Sequence, residues 1–104
     1  MQADLIIRGG TVVDGLGGAP RQADVLVEGD TIVEIGDVSE ESARGAQELD
    51  ASGLIVTPGF IDMHTHLDAQ IGWDPDMTPV SWHGVTTALL GNCGVTFAPC
   101  KPGG

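Results

Sequence analysis

"VTPGFIDMHTHLD", residues 56–68, decides how this chain is read. The apolar run that follows Pro58-Gly59 closes on two of the three histidines in the sequence, placed one residue apart. Phe60 and Ile61 favour a strand after the Pro-Gly break. Alternate side chains of a strand share a face, so Phe60, Asp62, His64 and His66 are expected on one side and Ile61, Met63 and Thr65 on the other. The histidines then stand about 7 Å apart along the strand, close enough for both imidazoles to turn toward one cation. Neutral imidazole is a preferred ligand for zinc and other first-row metals, and a catalytic site needs protein ligands plus an open position for water. A bare His-x-His equally suits one ring capping the strand and the other standing in solvent. The surrounding sequence shifts the balance.

A second apolar run, Val85 to Leu90, follows after "MTPVSWHG", residues 77–84. Thr78 as N-cap, Pro79 at the first helical position and Gly84 just past the end predict a helix of about six residues. Strand, helix, strand is a βαβ unit with a parallel pair. Thr87, Leu89, Gly91 and Cys93 share one face of the second strand, so Cys93 of "GNCG" emerges at the tip, beside the histidine pair if the strands are neighbours. Gly91 and Gly94 allow close approach to the backbone there. A lone cysteine is usually a small buried hydrophobe. Beside a divalent cation its thiol is deprotonated and becomes a ligand. The C-terminal ends of parallel strands are also where barrel proteins collect their active sites. Asp62 is expected to hydrogen-bond in support of the site, and Asp68 to orient a ligand or face water. Cys100, after Pro99, reads as incidental, His83 as part of the short helix, and Trp73 and Trp82 as packing aromatics.

Upstream, "DLIIRGG", "TVVDG", "ADVLVEGD", "TIVEIGD" and "QELDASGLIVTPG" are short β-branched runs closed by Gly or Asp. Gly29-Asp30 between two such runs is a two-residue hairpin signal. Residues 1–57 are therefore expected to form an antiparallel β unit, interrupted by "SEESARGAQ" as a surface loop or single helical turn. The boundary falls at residue 58, where the character of the strands changes, and 58–104 forms the second unit.

Length and charge limit the function classes. A chain of 104 residues holds at most one small core's worth of burial. Fifteen acidic residues against four basic give a net charge of -11, which repels nucleic acid and anionic membranes. No apolar run approaches the roughly 18 residues of a membrane span, and no basic leader precedes an apolar stretch, so a cytoplasmic protein is expected. Two cysteines are too few for a disulfide framework. The sheet begun by two parallel strands is unfinished at "CKPGG", so these residues read as the opening part of something larger.

With these residues in hand, the chain resembles the N-terminal segment of a metal-dependent amidohydrolase. "VTPGFIDMHTHLD" is similar to the superfamily's first barrel strand, and the β-rich stretch before it to the small β-sandwich that accompanies the barrel. "SWHGVTTALLGNCGVTFAPCKP" resembles the narrower N-acyl-D-amino-acid deacylase (D-aminoacylase) branch. The resemblance implies an α/β fold with a β-rich N-terminal part: a β-sandwich segment, then the first βαβ unit of an incomplete (β/α)8 TIM barrel. It implies His64, His66 and Cys93 as metal ligands, with Cys93 on a tightly bound zinc and the histidines at a second, weaker divalent position. The implied reaction is hydrolysis of a linear N-acyl-D-amino acid to the D-amino acid and a carboxylate. The further histidine ligands and the catalytic aspartate belong to later strands of the family's barrel, so no residue of this chain is assigned as the catalytic acid or base, and the isolated segment is expected to be inactive.

Two other readings stay open. A cyclic-amide hydrolase of the hydantoinase or dihydroorotase kind shares His-x-His but usually places a bridging lysine where this cysteine stands. A non-catalytic β-rich module would instead bind a partner, the remainder of a barrel or a second copy, through the open edge of its sheet.

Overall fold

The computed structural model describes residues 2–92 and 102. The chain divides into two units, Met1–Pro58 and Gly59–Gly104.

In the first unit, β1 (Leu5–Val12), β2 (Arg21–Glu28) and β3 (Thr31–Gly36) follow one another antiparallel. The β2–β3 connection is the two-residue turn Gly29-Asp30, which fixes the register Glu28↔Thr31. β4 (Gln47–Asp50) and β5 (Ile55–Val56) then return along the other edge of β1, and both pair with it parallel. The sheet order is β3-β2-β1-β4, with β5 beside the far end of β1. An all-antiparallel unit is thus corrected to a mixed sheet. The physical reason is the polar segment 39–46, which makes one helical turn, with the Ala43 amide donating to Ser39 O at 3.1 Å. This crossover carries the chain past the sheet before β4 docks, and a crossover restores the original strand direction.

A register shift between Ile7 and Gly10 sets Arg8 and Gly9 against the single residue Asp24. This bulge puts Ile7 and Val12, five positions apart, on the same face of the sheet with Ala23, Val25, Val27 and Val56. The opposite face carries Ile6 and Leu26, packed with Ala3, Val38 and Ala43. At the bulge the Arg8 guanidinium donates to Asp24 Oδ2 at 2.9 Å and to the Val38 carbonyl at 2.7 Å, while the Gly9 amide donates to Asp24 Oδ1 at 2.9 Å. Desolvation is the largest influence on Asp24 and acts upward. The Gly9 amide and Arg8 together outweigh it and hold this carboxyl below its ordinary value.

In the second unit, β6 (Phe60–Asp62) and β7 (Val85–Ala88) form a parallel pair with Ile61 opposite Thr87 and Asp62 opposite Ala88. The connection contains a four-residue helix, α1 (Leu67–Gln70), and a 3₁₀ helix at Val80–His83. A longer helix with Thr78 as N-cap does not form. The Thr78 amide and hydroxyl both donate to Asp74 Oδ2, at 2.8 and 2.7 Å, so Thr78 is held by the preceding turn and Pro79 takes the cap position. Hydrogen bonds from the Thr78 hydroxyl first, then from Gln70 and the Thr78 amide, lower the Asp74 pKa. The stop at Gly84 is in place, left-handed at φ 85°. Gly59 is fixed by close approach: a Cβ there would lie 2.7 Å from the Thr86 Cβ and collide with that residue's methyl and hydroxyl. Trp73 and Trp82 are not core residues; they are 72% and 77% exposed. Among the described residues, no helix is long and apolar enough to cross a membrane.

Candidate metal centre

β6 ends at Asp62, two residues before the first histidine. The Asp62 side chain ends it: Oδ1 accepts the His64 amide at 3.0 Å, an Asx turn that replaces the next ladder bond. Strand alternation therefore stops short of the histidines. This corrects the expectation that Asp62, His64 and His66 line one face of a continuous strand. His64 and His66 lie on the turn between β6 and α1, both exposed, with ring centroids 6.2 Å apart and planes tilted by 44°.

That spacing is near the one a shared cation sets. Two imidazoles on one tetrahedral zinc, with Zn–N of about 2.0–2.1 Å, hold their centroids about 5 Å apart. The observed 6.2 Å is wider than that value. Among the described residues no third His, Cys, Asp or Glu joins the pair. Cys93, Gly94 and Cys100 lie outside the described residues.

The segment leading to Cys93 is described as far as Asn92, and it is fastened to the histidine turn at four points. The Leu89 amide donates to Asp62 O at 2.8 Å, continuing the β6–β7 ladder by one step. The Thr65 hydroxyl donates to Leu89 O at 3.3 Å. The Gly91 amide donates to Asp68 Oδ2 at 2.8 Å, and the Asn92 side-chain amide to Met63 O at 2.7 Å. Thr65 and Asp68 are buried at 5% and 2% exposure, so these polar groups are committed to holding backbone rather than to water.

The expected supporting role of Asp62 takes this form of a turn-forming bond to the His64 amide. Asp68 proves to be an internal brace for the second loop. Asn92 and Thr65 were not singled out by sequence. The available signal was their position, one adjacent to Cys93 and the other between the two histidines. His83 ends the 3₁₀ helix and is exposed. An apolar groove of about 390 Å³ lies between β7 and the helical connection, lined by Leu67, Ile71, Met77, Val80, Val85 and Leu90 among others, and neither His64 nor His66 contributes to it.

Comparison with known proteins places the chain in a family. The amidohydrolase family model matches residues 47–103. N-acyl-D-aspartate deacylase of Alcaligenes xylosoxydans xylosoxydans is 48% identical over 98 residues, covering 94% of this chain and 19% of the relative. The crystal structure of N-acyl-D-glutamate deacylase from Bordetella bronchiseptica, complexed with zinc and a phosphonate mimic of the tetrahedral intermediate, matches with a TM-score of 0.82. The identity is 42%, over 99% of this chain and 22% of that one. A structure of D-aminoacylase bearing on the role of its binuclear metal center matches with a TM-score of 0.79 and 47% identity, covering 94% of this chain and 20% of that one. The chain spans about a fifth of the length of these relatives. On these matches, the chain belongs to the amidohydrolase family, in its D-aminoacylase branch.

Proposed function

We propose that this chain is a segment of a zinc-dependent hydrolase that cleaves the linear amide of an N-acyl-D-amino acid, releasing the D-amino acid and a carboxylate. The observation that carries the reading is local. A histidine pair sits just beyond the C-terminal end of β6, and the loop leaving the parallel neighbour β7 is tied onto the same turn one residue before Cys93. In this reading His64, His66 and Cys93 are metal ligands, with Cys93 on the tight zinc and the imidazoles at a second, weaker position. Such a set is the thiolate and imidazole chemistry that zinc favours. When bound, zinc supplies a Lewis acid for the acyl carbonyl and acidifies water.

The chain's own residues act before any chemistry. Asp62 turns the backbone so that His64 leaves the strand, and Asp68 and Asn92 hold the second loop in place. In the same proposal, β6, the helical connection and β7 open a (β/α)8 barrel within residues 58–104, and residues 1–57 form part of the accompanying β-sandwich. A cytoplasmic, reducing setting keeps Cys93 available as a thiolate. The segment alone is inactive, because it offers no acid or base from later strands.

The deciding experiment measures zinc content and hydrolysis of paired N-acyl-D- and N-acyl-L-amino acids by the protein that carries this segment. Stoichiometric zinc and turnover of the D-series support the reading. Equal turnover of both series, or full activity after chelation, overturns it.

A further inference from the structure

We propose that Asp68, with Asn92 as its partner across the loop, is a positioning residue that sets the metal affinity of the site by clasping the loop after β7 onto the histidine turn. This inference rests on the metal-site reading given under Proposed function. Asp68 follows His66 by two residues, in the first turn of α1, yet its carboxylate does not face solvent: the residue is 2% exposed. Oδ2 accepts the Gly91 amide at 2.8 Å, across 23 residues of sequence. Asn92 closes the clasp from the other side, its Nδ2 donating to the carbonyl of Met63, the residue before His64. The two bonds thus grip the chain on both flanks of the histidine pair, at Met63 and at Asp68. They also grip two consecutive residues of the opposite loop.

Among the described residues β7 ends at Ala88 and the last backbone bond of the pair is Leu89 to Asp62, so neither side chain completes a strand ladder there. These two bonds act on the relative position of two loops. Two exposed imidazoles on a short turn lose affinity quickly when that turn moves, because ligands must be held close to their bound geometry before the metal arrives. A side-chain oxygen accepting a backbone amide at low exposure, away from competing water, is a restraint of this kind.

The test is Co²⁺ binding, followed by its visible absorption and by elemental analysis, in wild-type protein and in D68A, D68N, N92A and the double variant H64A/H66A. Loss of the outer restraint is expected to weaken Co²⁺ binding about 10–100-fold in D68A, with a smaller loss in N92A. D68N keeps an oxygen that can accept the Gly91 amide and is expected to stay within about threefold of wild type. A D68N protein as weak as D68A overturns the proposal, because the effect would then follow charge and not the hydrogen bond. Unchanged Co²⁺ affinity in D68A and N92A, with affinity lost in H64A/H66A, also overturns it while leaving the metal site intact. Unchanged affinity at the weaker position in H64A/H66A removes the assignment of the histidine pair to that position, a failure separate from that of the clasp. Should D68A fail to fold, N92A decides alone, since Asn92 is exposed and its removal leaves the core untouched: binding equal to wild type overturns the clasp.

Discussion

The side-chain amide of Asn92 donates to the main-chain carbonyl of Met63 at 2.7 Å, joining the residue before Cys93 to the residue before His64. Sequence neighbours of the thiol and of the first imidazole are thus in direct contact, although 29 positions separate them. The assignment of Cys93 as a ligand becomes testable against the other cysteine. In the protein that carries this segment, Cys93→Ala is expected to remove most bound zinc and activity, and Cys100→Ala to leave both nearly unchanged. Elemental analysis of the two variants, purified in parallel, checks this; equal metal content would remove Cys93 from the site.

Gly59→Ala is expected to destabilise the β6–β7 pair. The new Cβ would meet the Thr86 Cβ, a backbone-anchored atom that side-chain rotation cannot move. Overpacking of this sort costs about 1–3 kcal/mol. Thr86→Gly in the same chain clears the space and is expected to recover part of the loss in a thermal melt. A double variant no better than Gly59→Ala would show that the strain lies elsewhere.

Leu26→Ala is expected to cost about 2–5 kcal/mol, toward the lower end, because its small neighbours Ala3 and Ala43 let the site partly collapse. Leu49, 54% exposed on β4, serves as the control and is expected to change stability by no more than about 0.5 kcal/mol when replaced by alanine. Urea denaturation of both variants measures the difference. Similar midpoints would mean that the first unit's core is not centred on Ile6 and Leu26.

The ion pair at the bulge gives a pH dependence of known sign. Asp24 has a folded pKa below that of the unfolded chain, so the carboxylate contributes stability that is fully present above the unfolded value of about 3.9 and is lost as pH falls through the lower folded value. Asp24→Asn removes this contribution at all pH values. The melting temperature of wild type is therefore expected to exceed that of Asp24→Asn at neutral pH, with the gap narrowing below about pH 4. A gap that stays constant down to about pH 2 would show that the ionised Asp24 carboxylate, held by the Gly9 amide and Arg8, is not its source.

Much of this was legible from residue chemistry, and the exceptions share a cause. Gly29-Asp30 encodes its hairpin locally, and the order of runs around "MTPVSWHG" was enough to expect β6 and β7 side by side and parallel. The failures involve side chains that compete with regular backbone pairing. Asp62 captures the His64 amide and ends β6 early, and Asp74 captures Thr78 and moves the helical cap by one residue. Such captures depend on a single rotamer, which periodicity does not report. β4 reads as a strand in isolation, but its direction is chosen by β1, some forty residues earlier, and no local pattern records that choice. The histidine pair was visible because imidazoles are rare; the brace from Asp68 was not, because a lone carboxylate near a turn ordinarily faces water.

The pairing of β1 with both neighbours has a consequence for how the polypeptide emerges during translation. One side of β1 meets β2 almost at once, and the β2–β3 hairpin closes in about 1–10 μs once its residues are available. The other side must wait for β4 and β5 at residues 47–56, an interval of seconds at ribosomal rates of about 5–20 residues per second. Throughout that delay the nascent chain carries a central strand paired along one edge only, and its other row of amides and carbonyls stays with water until residues 47–56 arrive.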